Sequence, residues 1–168
     1  DRIVRVPIEM IMKGDLDPFR VWAPGSPNLY DLRVRLLKDG DALDQVDTYF
    51  GMRKIERRDG RIYLNNSPLY QKLILDQGYW PDSNITPPSD EAIRLDLQYI
   101  LDFGYNGARK HQKLEDPRFY YWADKMGVLV WGEVPSPYDF TDETVRNLAD
   151  TMFGFIERDF NHPSIICW

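Results

Sequence analysis

The chain has 168 residues, a formal net charge of −6, 43% hydrophobic and 14% aromatic residues. This size suits one ordinary domain or parts of two, and the hydrophobic share excludes a disordered tail. An acidic surface repels phosphate backbones, so no nucleic-acid partner is expected. No stretch approaches the roughly 18 apolar residues of a membrane span, so no membrane partner is expected either.

The N-terminal third has the alternating pattern of β-strands. Residues 3–6 and 32–36 alternate apolar and charged side chains, and residues 22–30 between them are rich in turn formers. An Asp-Gly pair within residues 38–41 predicts a hairpin whose return strand is residues 44–50. These strands are too few to close a sandwich, so they predict the last strands of a larger one.

The rest of the chain predicts a second hairpin, at residues 54–64, followed by alternating strands and helices. The predicted strands are residues 69–75, 105–110, 128–131 and 164–168. Three helices lie between them, and their order, βαβαβαβ, predicts a parallel sheet with right-handed crossovers. Half of an eight-stranded α/β barrel and an open doubly wound sheet both fit this order.

Capping residues mark the predicted helices. Ser89 precedes the first helix, residues 91–103, and the pair Asp116-Pro117 opens the second. Thr141 caps the third helix. Its apolar positions predict a buried side made of Val145, Leu148, Met152 and Ile156.

Polar residues follow each predicted strand, at the edge where α/β proteins place their sites. The candidates are Asp76, Gln77, Tyr79 and Trp80 after the first strand, Arg109, Lys110, His111 and Gln112 after the second, and Glu133 after the third. Ordinary loops are also polar, so each candidate has a structural alternative. His111 could be a hydrogen-bonded loop residue, Trp80 could pack between loops, and Glu133 could pair with Arg109 without contacting a ligand. The first connection is bulky where a dinucleotide fold needs glycines, which disfavours the open sheet.

No metal or cofactor is implied, because the two histidines are far apart in the sequence and no ligand-spaced cluster accompanies them. The single cysteine, Cys167, excludes a disulfide within these residues and does not identify a cell compartment. His162 lies in the sequence Asn-His-Pro-Ser, which predicts a structural corner.

Several motifs carry a family resemblance. The closing residues 158–168, Arg-Asp-Phe-Asn-His-Pro-Ser-Ile-Ile-Cys-Trp, closely resemble the segment before the catalytic acid/base glutamate of glycoside hydrolase family 2. That family includes β-galactosidases, β-glucuronidases and β-mannosidases. The pattern of Trp22, Pro24, Pro27, Leu29 and Tyr30, then Phe-Gly-Met-Arg at residues 50–53, is similar to the family's closing sandwich strands. Asp-Gln-Gly-Tyr-Trp at residues 76–80 resembles one subgroup of the family.

The resemblance implies an architecture in two parts. Residues 1–53 would be the C-terminal strands of an immunoglobulin-like sandwich. Residues 54–168 would be the N-terminal half of a (β/α)8 TIM barrel, cut within its fourth strand. The resemblance favours the barrel over the open sheet. The remainder of the barrel, or self-association, would then be needed for stability, because half a barrel leaves an open core and an unpaired edge.

The resemblance also implies a function: part of a retaining, exo-acting hydrolase of terminal β-linked sugars, with a β-galactoside as the first candidate. The acid/base glutamate would follow Trp168 and the nucleophile would lie further on, so this chain alone should be inactive. Arg109 would support the nucleophile and Glu133 would form a pocket wall. The predicted sugar-binding or supporting residues are Asp76, Gln77, Trp80, Arg109, Lys110, His111 and Glu133. A non-catalytic carbohydrate-binding or scaffold module on the same fold is the alternative.

Overall fold

The computed structural model describes residues 20–168, so the strand predicted at residues 3–6 lies outside the described residues. Four strands open the described part: β1 (Trp22–Ala23), β2 (Ser26–Pro27), β3 (Tyr30–Lys38) and β4 (Asp41–Phe50). The predicted hairpin is confirmed as the antiparallel pair β3–β4. Asp39 and Gly40 form its tip with φ of 53° and 96°, values that Asp-Gly tolerates and that a two-residue hairpin turn requires.

The second predicted hairpin is also confirmed, and it carries a third short strand. The sheet consists of β5 (Ile55–Arg58), β6 (Arg61–Leu64) and β7 (Ser67–Pro68) in that order. The amide of Leu69 donates to the carbonyl oxygen of Ile62 at 2.8 Å. Because this bond ties the residues after β7 to the hairpin, the next strand begins at Leu73, later than predicted.

A parallel sheet of four strands dominates the rest of the chain. Its strands are β8 (Leu73–Asp76), β9 (Gly107–Lys110), β10 (Leu129–Trp131) and β11 (Ile165–Cys167), hydrogen-bonded in chain order. Its connections contain α1 (Asp90–Asp102), α2 (Pro117–Met126) and α3 (Asp142–Asp159). The predicted βαβαβαβ order and parallel pairing are confirmed. No helix among residues 20–168 combines the length and apolarity that crossing a membrane requires.

The predicted caps hold the helix ends. Ser89 and Asp116 accept backbone N–H groups of α1 and α2, at 3.1 Å and 2.9 Å. Thr141 and Thr144 exchange side-chain and backbone bonds in a reciprocal capping box at the start of α3. These bonds satisfy amides that a helix leaves free at its first turn, which is why the helix starts follow from local sequence.

The buried side of α3 differs from the prediction. Leu148, Met152 and Ile156 are partly buried, but Val145 is 57% exposed. Phe155, which was not predicted, is 1% exposed and packs edge-on against Trp168 with ring centroids 4.8 Å apart. Among the described residues of α3, only Phe155 and Asp159, in its last turns, are fully buried. The apolar pattern of the helix is therefore longer than its buried part.

Two apolar clusters surround the sheet. The larger packs α1 and α2 onto one face through residues such as Ile93, Leu97 and Phe119. The smaller joins the N-terminal strands to the sheet through Trp22, Leu64 and Leu129. Trp22 is 0% exposed. At about 25 cal/mol per Å², burying an indole of this size is a major contribution to holding the two parts together.

A buried carboxylate completes that junction. Asp124 of α2 is 0% exposed and accepts hydrogen bonds from the Tyr49 hydroxyl at 2.8 Å, His162 Nδ1 at 2.6 Å and the Ser164 amide at 2.9 Å. The Trp22 indole donates to the Asp124 carbonyl oxygen at 2.8 Å. His162 does sit at the predicted corner, but it also binds this carboxylate. Three distant segments therefore meet at one residue of α2.

Candidate active site

The carboxyl ends of β8, β9 and β10 open onto a groove of about 780 Å³. This volume falls within the range of small-molecule sites. Its walls come from the connections that follow the three strands, together with α3. Among the lining residues are Gln77, Tyr79, His111, Lys113, Tyr138 and Arg158. The groove therefore lies at the edge of the sheet where the sequence places its candidate residues.

Gln77 and His111 are two polar residues of the groove that lie close together. The Gln77 Nε2 and His111 Nδ1 atoms are 3.3 Å apart, within hydrogen-bonding distance. The parallel pairing continues one residue past β8 and β9, because the His111 amide donates to the Asp76 carbonyl oxygen at 2.8 Å. This bond brings the two side chains together, although 34 residues separate them. Amide and imidazole groups can both donate to and accept from sugar hydroxyls.

Arg109 and Glu133 form an ion pair beside these residues, at the ends of β9 and β10. Glu133 Oε2 also accepts the Gln112 amide at 3.1 Å, and Gln112 takes a left-handed backbone with φ of 52°. Partial burial raises the pKa of Glu133, but the hydrogen bonds from Arg109 and Gln112 outweigh it, and the net pKa lies below the ordinary value. Glu133 is therefore ionised at neutral pH and has no proton to give to a leaving group.

Asp76 and Lys110 lie beneath the groove instead of facing it. Lys110 is 1% exposed, and its Nζ is 2.7 Å from Asp76 Oδ2 and 2.6 Å from Glu115 Oε2. Glu115, itself 2% exposed, also pairs with Lys113 at 3.0 Å. Two carboxylates and two ammonium groups neutralise one another here, which lets them stay charged out of water. Lys110 thus has a supporting position with no surface for a sugar.

Trp80 is half-buried within its own connection. Its backbone exchanges two hydrogen bonds with Asn84, at 2.6 Å and 3.0 Å, closing a tight turn. The exposed aromatic ring at this position in the groove is Tyr79, at 70% exposure. Glu115, Lys113 and Arg158 are groove residues that the sequence did not predict. In the sequence they look like ordinary solvated charged residues, and no local pattern marks them as part of a groove.

The chain matches a family profile, curated sequence relatives and solved structures. The profile described as Glycosyl hydrolases family 2 matches residues 5–53. A beta-galactosidase of Thermoanaerobacter pseudethanolicus is 29% identical over 95% of this chain, and a beta-glucuronidase of Streptococcus agalactiae is 30% identical over 91% of it. The solved b-glucuronidase from Ruminococcus gnavus in complex with D-glucuronic acid superposes with a TM-score of 0.82 over 89% of the chain, at 26% identity.

The family model covers the N-terminal part of the chain, and relatives named beta-galactosidase and beta-glucuronidase cover most of it. The resemblance described from the motifs is confirmed. The chain spans 22% and 28% of the length of the two sequence relatives and 26% of the solved chain. The mixture of strands and helices agrees with a piece of a larger domain of these family 2 enzymes.

Proposed function

We propose that the protein containing this chain is a retaining β-glycosidase, and that the chain supplies part of its sugar site. The observation that carries the proposal is the groove at the carboxyl edge of the parallel sheet. There, Gln77 and His111 lie within hydrogen-bonding distance of each other, and the Arg109–Glu133 pair lies alongside. Active sites of α/β barrels gather at this edge. The similarity to family 2 and to beta-galactosidases and beta-glucuronidases makes a β-linked sugar the corresponding ligand.

The proposed architecture is the first half of a TIM barrel at residues 54–168, preceded by the last strands of an immunoglobulin-like sandwich at residues 1–53. Four parallel strands hydrogen-bonded in chain order, with a helix in each connection, support the barrel. The long β3–β4 hairpin supports the sandwich. Among the described residues, β8 and β11 each have one unpaired edge, where the remaining strands of a barrel would bind.

In the proposed mechanism the two catalytic carboxyl groups lie outside these 168 residues. The acid/base follows Trp168 and protonates the leaving oxygen, while a later glutamate, whose carboxyl group lies about 5 Å from that of the acid/base, attacks the anomeric carbon. Water then releases the covalently bound sugar. Arg109 uses its Nε for Glu133, and a guanidinium has four further N–H donors that can hold the nucleophile. The ionised Glu133 fixes the direction of Arg109 and takes no part in proton transfer.

The first candidate substrate is a terminal β-galactoside, and the relatives' names make a β-glucuronide its rival. The test is a panel of 4-nitrophenyl glycosides given to the full-length protein: β-galactoside, β-glucuronide, β-mannoside and, as a control, α-galactoside. We expect turnover of a β-glycoside, with the β-anomer as the first product in a proton NMR time course. An α-anomer first would contradict retention.

A matched pair of variants tests the site. Arg109→Met is expected to lower kcat/KM about 100-fold or more, because a charged hydrogen bond to the reacting carboxylate contributes at least about 3 kcal/mol in a closed site. Arg57→Met, at an exposed arginine of β5, should leave kcat/KM unchanged. Sugar binding without turnover by the full-length protein would favour the carbohydrate-binding or scaffold alternative instead.

A further inference from the structure

Lys113 lies under the connection between β8 and α1 and binds it at two points. Its Nζ donates to the Gly78 carbonyl oxygen at 2.9 Å and to the Ile85 carbonyl oxygen at 2.6 Å. A third oxygen, Glu115 Oε1, lies 3.0 Å from Nζ. Two of the three N–H donors of the ammonium group therefore bind this connection, and its charge is paired with Glu115. Lys113 lines the groove, but most of its donors are used within the protein.

Glu115 anchors Lys113 to the interior. Its Oε1 also accepts the Asp116 amide at 2.9 Å, and its Oε2 pairs with the buried Lys110 at 2.6 Å. The Lys110 ammonium also lies 4.5 Å from the centre of the Phe119 ring. Moving Lys113 away would leave part of a buried carboxylate without its partner, which is costly. The anchor is therefore much more rigid than an exposed ion pair.

The held segment, residues 78–85, begins at Gly78, which packs against the charged groups of Lys113 and Glu115. The φ of Gly78 is +65°, and a Cβ added here would lie 2.6 Å from both Lys113 Nζ and Glu115 Oε2. The Gly78 amide donates to Asp76 Oδ1 at 2.7 Å. Both the amide and the carbonyl group of Gly78 are thus bound by members of one charge network, so the segment cannot shift without breaking it.

The held segment carries Tyr79, whose ring is 70% exposed and lines the groove with His111. Tyrosine offers an apolar face and a hydroxyl, which suits the face and the polar groups of a sugar ring. A loop that is ordered before the ligand arrives loses less conformational entropy on binding. Holding residues 78–85 in place would therefore strengthen binding through Tyr79.

We propose that Lys113 is a positioning residue that clasps residues 78–85 and so fixes Tyr79 as a carbohydrate-contacting wall of the groove. The nature of the ligand, a β-glycoside, rests on the proposed function. The clasp rests only on the contacts of Lys113, Glu115 and Gly78.

The experiment compares two variants of the full-length protein. Lys113→Met keeps the length of the side chain and removes its three donors. Lys72→Met makes the same change at an exposed lysine before the amino end of β8, the opposite edge of the sheet. In Lys113→Met, hydrogen–deuterium exchange across residues 78–85 should be at least about tenfold faster, because losing even one of the two charge-assisted hydrogen bonds to this segment produces that factor. Lys72→Met should exchange like the wild type.

The same variants are assayed on the best β-glycoside of the panel. Lys113→Met should raise KM about tenfold with kcat within about twofold, and Lys113→Arg, which keeps a cation with donors, should recover most of the KM. Tyr79→Ala should raise KM to a similar degree. Adding Lys113→Met to Tyr79→Ala should raise KM little further, because both changes remove the same wall of the groove.

Four results would overturn the proposal. Unchanged exchange in Lys113→Met would contradict the clasp. Faster exchange with unchanged KM, or fully additive effects of Lys113→Met and Tyr79→Ala, would show that the clasp does not act through Tyr79. A fall in kcat alone would indicate general damage. If the wild-type protein hydrolyses no glycoside, the proposed function fails, and the exchange data still decide whether Lys113 clasps the segment.

Discussion

Replacing Asp124 with asparagine is expected to destabilise the junction between the N-terminal strands and the parallel sheet. The wild-type carboxylate is fully buried and accepts from Tyr49, His162 and Ser164. Since a carboxylate only accepts, the Tyr49 hydroxyl and the His162 Nδ1–H are its donors. Burial raises the pKa of Tyr49, and the charge of Asp124 raises it further, so this hydroxyl stays protonated.

The magnitude follows from the bonds that asparagine removes. Its carbonyl oxygen can still accept the Ser164 amide, but an NH2 group replaces the oxygen that faces Tyr49 and His162. Two charge-assisted bonds at about 1.5–3 kcal/mol each are lost, so the free energy of unfolding should fall by about 3–6 kcal/mol. Tyr49→Phe removes one of the two and should cost about 1.5–3 kcal/mol.

The assay is urea unfolding of the full-length protein followed by tryptophan fluorescence, with Asp150→Asn at an exposed position of α3 as the matched control. The double variant Asp124→Asn/Tyr49→Phe should lose at least about 1 kcal/mol less than the sum of the single losses. A change within about 0.5 kcal/mol for Asp124→Asn, or additive losses in the double variant, would refute this account of the junction.

Three further predictions concern pH, packing and completeness. Burial, and then repulsion from Asp76, raise the pKa of Asp96. The folded state therefore binds the Asp96 proton more tightly than the unfolded chain does. Stability should fall as the pH rises from about 4 through the raised pKa. Asp96→Asn should unfold at higher urea than the wild type at pH 7 and lose this advantage as the pH falls below about 4. Gly107→Ala should destabilise the protein by about 1–3 kcal/mol in urea unfolding, because the added Cβ would lie 2.4 Å from the Leu129 carbonyl oxygen. Gly154→Ala, where the added Cβ has no atom within 4 Å, should stabilise it by about 0.5–1 kcal/mol. Equal effects of the two changes would contradict the packing described. The isolated 168-residue chain should hydrolyse no nitrophenyl glycoside, and light scattering and calorimetry should show self-association or no cooperative melting; an active chain, or a monomer that melts cooperatively, would contradict this.

The sequence by itself determined the features that depend on near neighbours. The helix starts at Ser89, Asp116 and Thr141 and the Asp-Gly hairpin tips were predictable because each is set by bonds within a few residues. The alternation of strands and helices was enough to predict the parallel sheet and the edge that carries the groove. Family motifs identified the chain's relatives before any geometry was known.

Only the tertiary structure decided which polar residues face the groove and which support it from within. Lys110 and His111 are adjacent in sequence, yet the alternation of side chains along a strand puts Lys110 in the interior and His111 in the groove. Asp124 looked like one more polar residue of a surface helix, and its partners Tyr49 and His162 lie 75 and 38 residues away. Long-range partners depend on how the elements pack, and local sequence contains no signal for that packing.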